Sequence, residues 1–190
     1  MKRKKKLILF HRFFNGKGTI SALHTIGIPS YFSTYKLSDG SLVNVHLYDT
    51  AGQEKYKSLS EQYYKKADCC LLVYDITRKK SFEECKDYYN VNLMQKCKKN
   101  VKVILLGNKA DLEDKREVPS EEGAGFATEN DYIFMETSCL KNTNVSDAFA
   151  TLIELTNIEA KREPDRKKGK KNKKLDKKKK KEKKNSGCCY

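Results

Sequence analysis

The sequence predicts an α/β fold in which a mostly parallel sheet is flanked by helices. Residues 69–74 and 101–106 are continuous apolar runs of the length expected for strands buried on both faces. Segments with the period of a helix lie between and after them. Strands that alternate with helices build a parallel sheet covered on both sides, and such a sheet binds ligands at the carboxyl ends of its strands.

The first predicted elements are two strands joined by a tight turn. Residues 31–36 and 41–48 form the strands, and apolar and polar side chains mostly alternate in the second of them. Asp39 and Gly40, which lie between the strands, have the chemistry of a turn. We therefore expect an antiparallel hairpin ahead of the buried strand at residues 69–74.

Further along the chain, helix and strand signals alternate. Ser81 and Glu84 form a capping-box pattern, which predicts a helix running to about residue 97. Ser120 can cap a helix through residue 127, and residues 132–135 read as a short strand. Asn144 can cap a last helix. The apolar positions that share one face of this last helix are Val145, Ala148, Phe149, Leu152 and Ile153.

The charge distribution divides the 190 residues into a folded domain, residues 1–160, and a tail, residues 161–190. The tail has 16 basic and 4 acidic residues, whereas residues 7–160 have 19 basic and 21 acidic residues. The net charge of +15 therefore comes from the tail and from the basic residues 2–6 at the other end of the chain. We expect the tail to be disordered, because it has almost no apolar residues. Such a tail attracts anionic partners, either membrane surfaces or nucleic acid. We expect neither a signal peptide nor a membrane-spanning helix.

Cysteine and histidine usage does not predict a metal site or a nucleophilic enzyme. The seven cysteines form no C-x-x-C pair, and those at positions 69, 70, 85 and 97 have the surroundings of reduced thiols. The three histidines, at positions 11, 24 and 46, are scattered along the chain. The chemistry therefore has to come from the polar motifs that follow the strands.

The most informative of these motifs is residues 49–54, DTAGQE, directly after the second hairpin strand. Asp49 can organise a metal ion, the N–H of Gly52 can approach a phosphate, and the Gln53 amide can orient a water. The string resembles the switch II signature of Ras-type small GTPases. The resemblance implies that Asp49 acts through Mg²⁺, that Gly52 contacts the γ-phosphate and that Gln53 orients the attacking water.

A second motif, residues 108–111, resembles the Asn-Lys-x-Asp guanine motif of the same family. The Asp111 carboxylate is a two-lobed acceptor that matches the paired N–H donors of guanine, and adenine lacks that pair. The resemblance implies that Asn108 and Lys109 complete this contact, with the Lys109 stem covering the face of the base.

A third motif, residues 136–139, resembles the family's Glu-Thr-Ser-Ala-Lys loop. The resemblance implies that the backbone around Ser138 and Cys139 contacts the guanine oxygen. Cys139 replaces the family's Ala, and Leu140 stands where the family has Lys. Together with the order and spacing of the three motifs, this implies a Ras-like P-loop GTPase fold that binds GTP or GDP with Mg²⁺.

Residues 61–67 and 72–77, EQYYKKA and LVYDIT, resemble the Rab branch, the regulators of vesicle traffic. The resemblance extends from about residue 9 to about residue 161 and implies Rab regulators and effectors as partners. After residues 25–28, where Rabs have Asp and an aromatic residue, this chain has Pro29. Pro removes a backbone donor from a stretch that effectors read, so effector identity is not carried over.

The amino-terminal region departs from the family. If residues 7–10 were the first strand and residues 16–19 the phosphate loop, only residues 20–24 would remain for the first helix before Thr25, and a helix of about 11 residues does not fit there. We therefore place the end of the first helix at residues 9–13. Thr25 is then the switch I threonine that binds Mg²⁺ in the family.

This alignment leaves the phosphate loop without its usual residues. Lys6 falls on the phosphate-loop Lys, but Leu7 replaces the hydroxyl residue that binds Mg²⁺, and the first strand has no counterpart. Because that strand lies in the middle of the family's sheet, we expect its neighbours to lack a ladder partner. The chain is either a truncated sequence of a working GTPase or a chain that has lost ordinary GTP handling.

The last residues predict a lipid anchor. Cys188 and Cys189 stand one residue from the end, as in Rab double geranylgeranylation sites, and Gly187 excludes a C-a-a-X box. Prenyl chains together with a polybasic tail suffice for stable anchoring. We therefore expect a lipoprotein on the cytoplasmic face of intracellular membranes, and no nucleic-acid partner.

Two hypotheses follow for the function. The first is a Rab-like small GTPase that switches between GTP and GDP states in vesicle trafficking and protein transport. The alternative is a non-catalytic Rab-like interaction module at membranes, with weak or no nucleotide binding. A third and less favoured hypothesis is a basic protein that associates with nucleic acid.

Overall fold

The computed structural model describes residues 21–23, 30–48, 63–88 and 93–161, and these residues form two three-stranded sheets. The first sheet is antiparallel, and its strands are β1 Ser21–Leu23, β2 Ser30–Lys36 and β3 Leu42–Tyr48. The second is parallel, and its strands are β4 Cys69–Asp75, β5 Lys102–Asn108 and β6 Ile133–Thr137. The predicted α/β class with a parallel sheet is confirmed.

Four helices accompany the strands, besides helical residues 63–66. They are α1 Lys79–Tyr88, the short α2 Met94–Lys96, α3 Ser120–Glu129 and α4, residues 145–161. A 3₁₀ turn occupies Glu113–Lys115. The chain divides into two compact units, residues 1–156 and 157–190, and the strands, the cores and the site lie in the first. Among the described helices, none is long and apolar enough to cross a membrane.

The hairpin turn forms as predicted. The Asp39 carboxylate accepts hydrogen bonds from the Ser41 backbone N–H at 2.9 Å and from its hydroxyl at 2.5 Å. Gly40 has a φ of 83°, a left-handed conformation that glycine adopts without steric cost. In β3, exposed side chains alternate with the half-buried Val43, Val45 and Leu47, which confirms the predicted alternation.

The parallel sheet separates two hydrophobic cores, one on each face. Ile104 and Leu106 of β5 pack against α4, whose five predicted apolar positions are all buried. Leu105 of β5 packs on the opposite face, where Phe82 of α1 and Ala127 of α3 are buried. Alternate residues of one strand thus serve opposite cores, which explains the continuous apolar run of β5.

The hairpin shares the α4 core although its strands belong to a separate sheet. Val43, Val45 and Leu47 of β3 pack into the same cluster as Leu71 and Val73 of β4. Among the described strands, β3 and β4 are each at the edge of their own sheet. Residues 1–20 lie outside the described ranges, so the expectation that the neighbours of the family's first strand lack a ladder partner stays a prediction.

The predicted helix caps were wrong. Helix α1 begins at Lys79, two residues before Ser81, and the Ser81 hydroxyl interacts instead with the backbone of Asp75 and Arg78. Helix α3 begins at Ser120 with Pro119 as its N-cap residue and no side-chain cap. The Glu117 carboxylate accepts a hydrogen bond from the Lys79 N–H at 2.7 Å, so a distant residue caps α1.

One further boundary also differs from the sequence predictions. Asn144 has a φ of 56°, and its side-chain amide donates to the Glu136 carbonyl at 2.9 Å instead of capping α4. The predicted helix from Ser81 to about residue 97 is described in two parts, α1 Lys79–Tyr88 and α2 Met94–Lys96. Residues 89–92 lie outside the described ranges, so the continuity of this helix stays a prediction.

Candidate nucleotide-binding site

The carboxyl ends of the three parallel strands bring two of the predicted motifs together. Asp75 of β4 is the register partner of Asn108 of β5, and Asn108 is the partner of Thr137 of β6. All three residues are buried. The loops that carry residues 109–111 and 138–139 therefore leave the sheet side by side, as ligand contacts do in folds of this class.

Asn108 joins these two loops. Its Oδ1 atom accepts hydrogen bonds from the Lys109 N–H at 2.8 Å, from the Cys139 thiol at 3.4 Å and from the Thr137 hydroxyl at 3.5 Å. The Ala110 N–H donates to the Thr137 carbonyl at 3.1 Å. Asn108 thus fixes the positions of the loops relative to each other and presents little surface to a ligand.

Asp111 is the residue that the geometry presents for binding. Its Oδ1 atom accepts a hydrogen bond of 2.5 Å from the buried Ser138 hydroxyl, and the residue itself is half-exposed. Ser138 is held in turn by the Lys141 N–H, which donates to its Oγ at 3.0 Å, and by a two-bond bridge with Thr143. The carboxylate is therefore preorganised at the surface as an acceptor for paired donors.

Lys109 has its ammonium group anchored below the surface. Its Nζ forms an ion pair with the buried Asp75 carboxylate and lies 3.4 Å from the Thr77 hydroxyl. Thr77 also donates to Asp75, through its hydroxyl at 2.7 Å and its N–H at 3.2 Å. The backbone of Lys109 has a φ of 74°, which turns the chain sharply after β5.

The charge of Asp75 depends on this anchoring. Burial raises the pKa of Asp75, but the hydrogen bonds from Lys109 and Thr77 outweigh burial, so the pKa lies below its ordinary value of 3.8. Asp75 and Thr77 lie outside the three motifs that predicted the site. The signal that could have found them is the string at residues 72–77, which served only to indicate the Rab branch.

Arg116 fastens the loop that follows Asp111 to strand β6. Its guanidinium donates to Glu136 at 2.7 and 2.9 Å, to Glu113 at two distances of 2.7 Å, and to the Val118 carbonyl at 2.9 Å. The hydrogen bonds that Arg116 donates to Glu113 and Glu136 raise its pKa above its ordinary value. No motif indicated the contact with Glu136, because it lies 20 residues from Arg116 in the chain.

The remaining predicted site residues lie outside the described part of the chain. These are Thr25, Asp49, Gly52 and Gln53, together with Cys188 and Cys189. Within residues 21–23, 30–48, 63–88 and 93–161, no group of three or more His, Cys, Asp or Glu side chains could hold a metal ion. Leu140, which stands where the family has Lys, is 73% exposed in the loop after β6.

Comparison with known proteins agrees with this geometry. Residues 5–158 match the profile of the Ras family. The Ras-related protein RABA1b of Arabidopsis thaliana is 39% identical over 156 residues, covering 82% of this chain and 71% of the relative. The GTP-binding protein ypt2 of Schizosaccharomyces pombe is 40% identical over 161 residues, covering 83% of this chain and 80% of the relative. The Ras-related protein Rab-8B of Pongo abelii is 38% identical over 147 residues, covering 77% of this chain and 70% of the relative.

Proposed function

Because the chain belongs to the Ras family, as a small GTPase of the Rab type, we propose that it binds guanine nucleotides and switches between GTP and GDP states in intracellular vesicle trafficking. One observation carries this proposal: the Asp111 carboxylate, held by Ser138, stands at the junction of two loops that Asn108 ties together. The strand ends thus offer an acceptor pair in a fixed position.

The chemistry of this acceptor pair favours guanine over other bases. Guanine presents a ring N–H and an exocyclic amine along one edge, and a carboxylate can accept both hydrogen bonds at once. Adenine has no such pair and would leave the carboxylate without a hydrogen bond from the base. A site built to hydrogen-bond its ligand rejects an analogue that lacks the matching groups by about 10⁴-fold or more.

The residues expected to bind the phosphates of the nucleotide lie outside the described ranges. Thr25 and Asp49 are the residues that would hold Mg²⁺, Asp49 through a water, and bound Mg²⁺ neutralises phosphate charge. Gly52 would donate its N–H to the terminal phosphate, and Gln53 would orient the attacking water. The loss of one preorganised donor costs about 3–4 kcal/mol, so the altered phosphate loop at residues 3–7 should lower affinity most.

Membrane attachment is part of the same proposal. Prenylation of Cys188 and Cys189, assisted by the basic residues of the tail, would hold the chain on the cytoplasmic face of intracellular membranes. Regulators and effectors of the Rab type are the protein partners that follow from the family. The switch would then act on a membrane, where vesicle traffic takes place.

Titration of the full chain with fluorescent GDP and Mg²⁺ tests the proposal. Saturable binding that is lost in Asp111→Asn, but kept in Asp114→Asn, is the expected result. Asp114 is a matched control because it is an exposed carboxylate in the same loop. No binding by a chain that circular dichroism shows to be folded would contradict the proposal and favour the non-catalytic interaction module.

A further inference from the structure

The folded body has a concentrated basic surface at the amino ends of β4 and β5. Lys65 and Lys66 end the helical residues that precede β4, Lys98 and Lys99 lie in the turn before β5, and Lys102 is the first residue of β5. All of them except the half-buried Lys102 are exposed. Residues 7–160 are close to neutral overall, so this group of lysines is a local concentration of positive charge and does not reflect a general excess of basic residues in the folded body.

Two contacts join the turn before β4 to the turn before β5. Asp68, directly before β4, accepts a hydrogen bond from Lys98 Nζ at 2.5 Å, and its carbonyl accepts the Lys102 N–H at 3.2 Å. Lys102 is also the register partner of Cys69. The turns before β4 and β5, which carry or adjoin the five lysines, therefore meet at one corner of the sheet.

An exposed apolar side chain lies in the chain four residues before Lys98. Met94, in the connection between α1 and β5, is 67% exposed, although the adjacent Leu93 is buried in the core. Basic residues beside an exposed apolar residue are the composition of surfaces that bind the interface of an anionic membrane. The lysines attract the lipid headgroups, and the methionine can enter the boundary of the acyl chains.

The chain leaves its first compact unit at this same edge. Thr156, the last residue of that unit, lies beside Cys69 at the start of β4, where its hydroxyl interacts with the thiol. Helix α4 has therefore run from the carboxyl edge of the sheet back to the amino edge. In the sequence, the basic segment 161–190 with its two terminal cysteines follows this helix.

We propose that Lys65, Lys66, Lys98, Lys99, Lys102 and Met94, together the amino-edge patch, dock directly on an anionic lipid surface. The inference rests on the proposed membrane attachment and adds an orientation to it. Glu129 and Asp131 occupy the β6 corner of the same edge, so the β4–β5 corner approaches the membrane first. The guanine site, at the carboxyl ends of the strands, then faces the cytosol, where nucleotide and partners have access.

A tryptophan probe tests the orientation, since the chain contains no Trp. The geranylgeranylated full chain carries either Met94→Trp, in the patch, or Leu140→Trp, at the opposite edge. Both native residues are exposed to a similar degree, 67% and 73%. With vesicles of phosphatidylcholine and phosphatidylserine, we expect a blue shift and quenching by brominated lipid for Met94→Trp alone. With phosphatidylcholine vesicles, we expect neither.

The outcomes separate this inference from the proposed function. Prenylated chain that floats with vesicles but gives no Met94→Trp response overturns the patch and leaves lipid anchoring intact. Prenylated chain that fails to float overturns the anchoring, and the patch with it. A blue shift with single-stranded RNA that anionic vesicles do not reproduce would overturn the patch in favour of a nucleic-acid surface.

A matched pair of charge variants supplies the energetic test. Each lysine near an anionic leaflet contributes about 1 kcal/mol, or about fivefold in binding. The unprenylated full chain with Lys66→Gln and Lys99→Gln should therefore bind anionic vesicles at least about tenfold more weakly. Lys80→Gln with Lys115→Gln removes two exposed charges near the other edge and should change binding less than about twofold. Equal losses of vesicle affinity in the two double variants would overturn the proposal that the amino-edge patch binds the membrane.

Discussion

Replacing Lys109 by Met should destabilise the fold by leaving a buried carboxylate without its cation. The Met side chain keeps the length of the lysine stem and the same strain at φ 74°, so the change removes mainly the ammonium group. Asp75 is 2% exposed and would retain only the two hydrogen bonds from Thr77, at 2.7 and 3.2 Å. The perturbation therefore isolates the charge pair at the end of β4.

The size of the effect follows from the burial of the two partners. Removing one partner of a buried ion pair costs about 3–5 kcal/mol. The side chain of Lys109 is 18% exposed, and Thr77 still donates two hydrogen bonds to the carboxylate, so we expect a loss at or just below the low end of that range, about 2–3 kcal/mol at pH 7. With a slope of about 2 kcal/mol per M, the urea midpoint should fall by about 1–1.5 M.

The pH dependence gives the same prediction an independent signature. In the native protein the pKa of Asp75 is below its ordinary value of 3.8. The ionised Asp75 therefore stabilises the fold fully above pH 3.8, and this contribution is lost as the pH falls through the lower pKa of the folded state. In Lys109→Met, burial dominates and raises the pKa of Asp75 above its ordinary value. The stability difference between the two proteins should therefore shrink as the pH falls from 7 towards 4.

Urea unfolding at several pH values measures both features, with Lys115→Met as the control. Lys115 is an exposed residue of the same loop, and its replacement should change stability by less than about 0.5 kcal/mol. A Lys109→Met variant as stable as the control at pH 7, or a stability loss that stays constant with pH, would refute the assigned pair.

Other side chains near the site give further predictions. Tyr74→Phe should leave thermal stability unchanged or raise it by about 1 kcal/mol, because the buried hydroxyl has no hydrogen-bond partner among the described residues; a clear loss would contradict this. Gly123→Ala should cost about 1–3 kcal/mol in calorimetry, because its Cβ would lie 2.6 Å from the Tyr74 hydroxyl, and adding Tyr74→Phe should recover part of the loss. Arg116→Lys should cost about 1–2 kcal/mol in urea unfolding, because lysine cannot bond both Glu113 and Glu136 in fork geometry; an unchanged midpoint would contradict this.

The parts of the fold that depend on local pattern were predictable from the sequence. The apolar run of β5 reflects burial on both faces, and the helical period around Phe149 identified the face of α4 that packs on the sheet. The Asp39–Gly40 turn was predictable because its hydrogen bonds are made within five residues. Asp111 and Ser138 were found by motif, and the structure brings them within 2.5 Å of each other.

The parts that depend on distant contacts were not predictable in this way. Ser81 is a residue type that often caps helices. In the structure its hydroxyl accepts a hydrogen bond from the backbone N–H of Asp75 at the end of β4, and the Glu117 carboxylate caps the helix instead. The pairing of Lys109 with Asp75 joins residues 34 positions apart and exists only because β4 and β5 lie in parallel register. No pattern along the chain encodes such a register.

The central claim, that the strand ends read guanine through Asp111, is tested most directly by exchanging the hydrogen-bonding partner. Xanthine has a carbonyl where guanine has its exocyclic amine, and an Asn amide N–H can donate to that carbonyl. Competition binding on the full chain should show a preference for GDP over xanthosine diphosphate of at least about 100-fold, and Asp111→Asn should reverse it. If both proteins keep the same preference, or show none, Asp111 does not read the base and the assigned site is wrong.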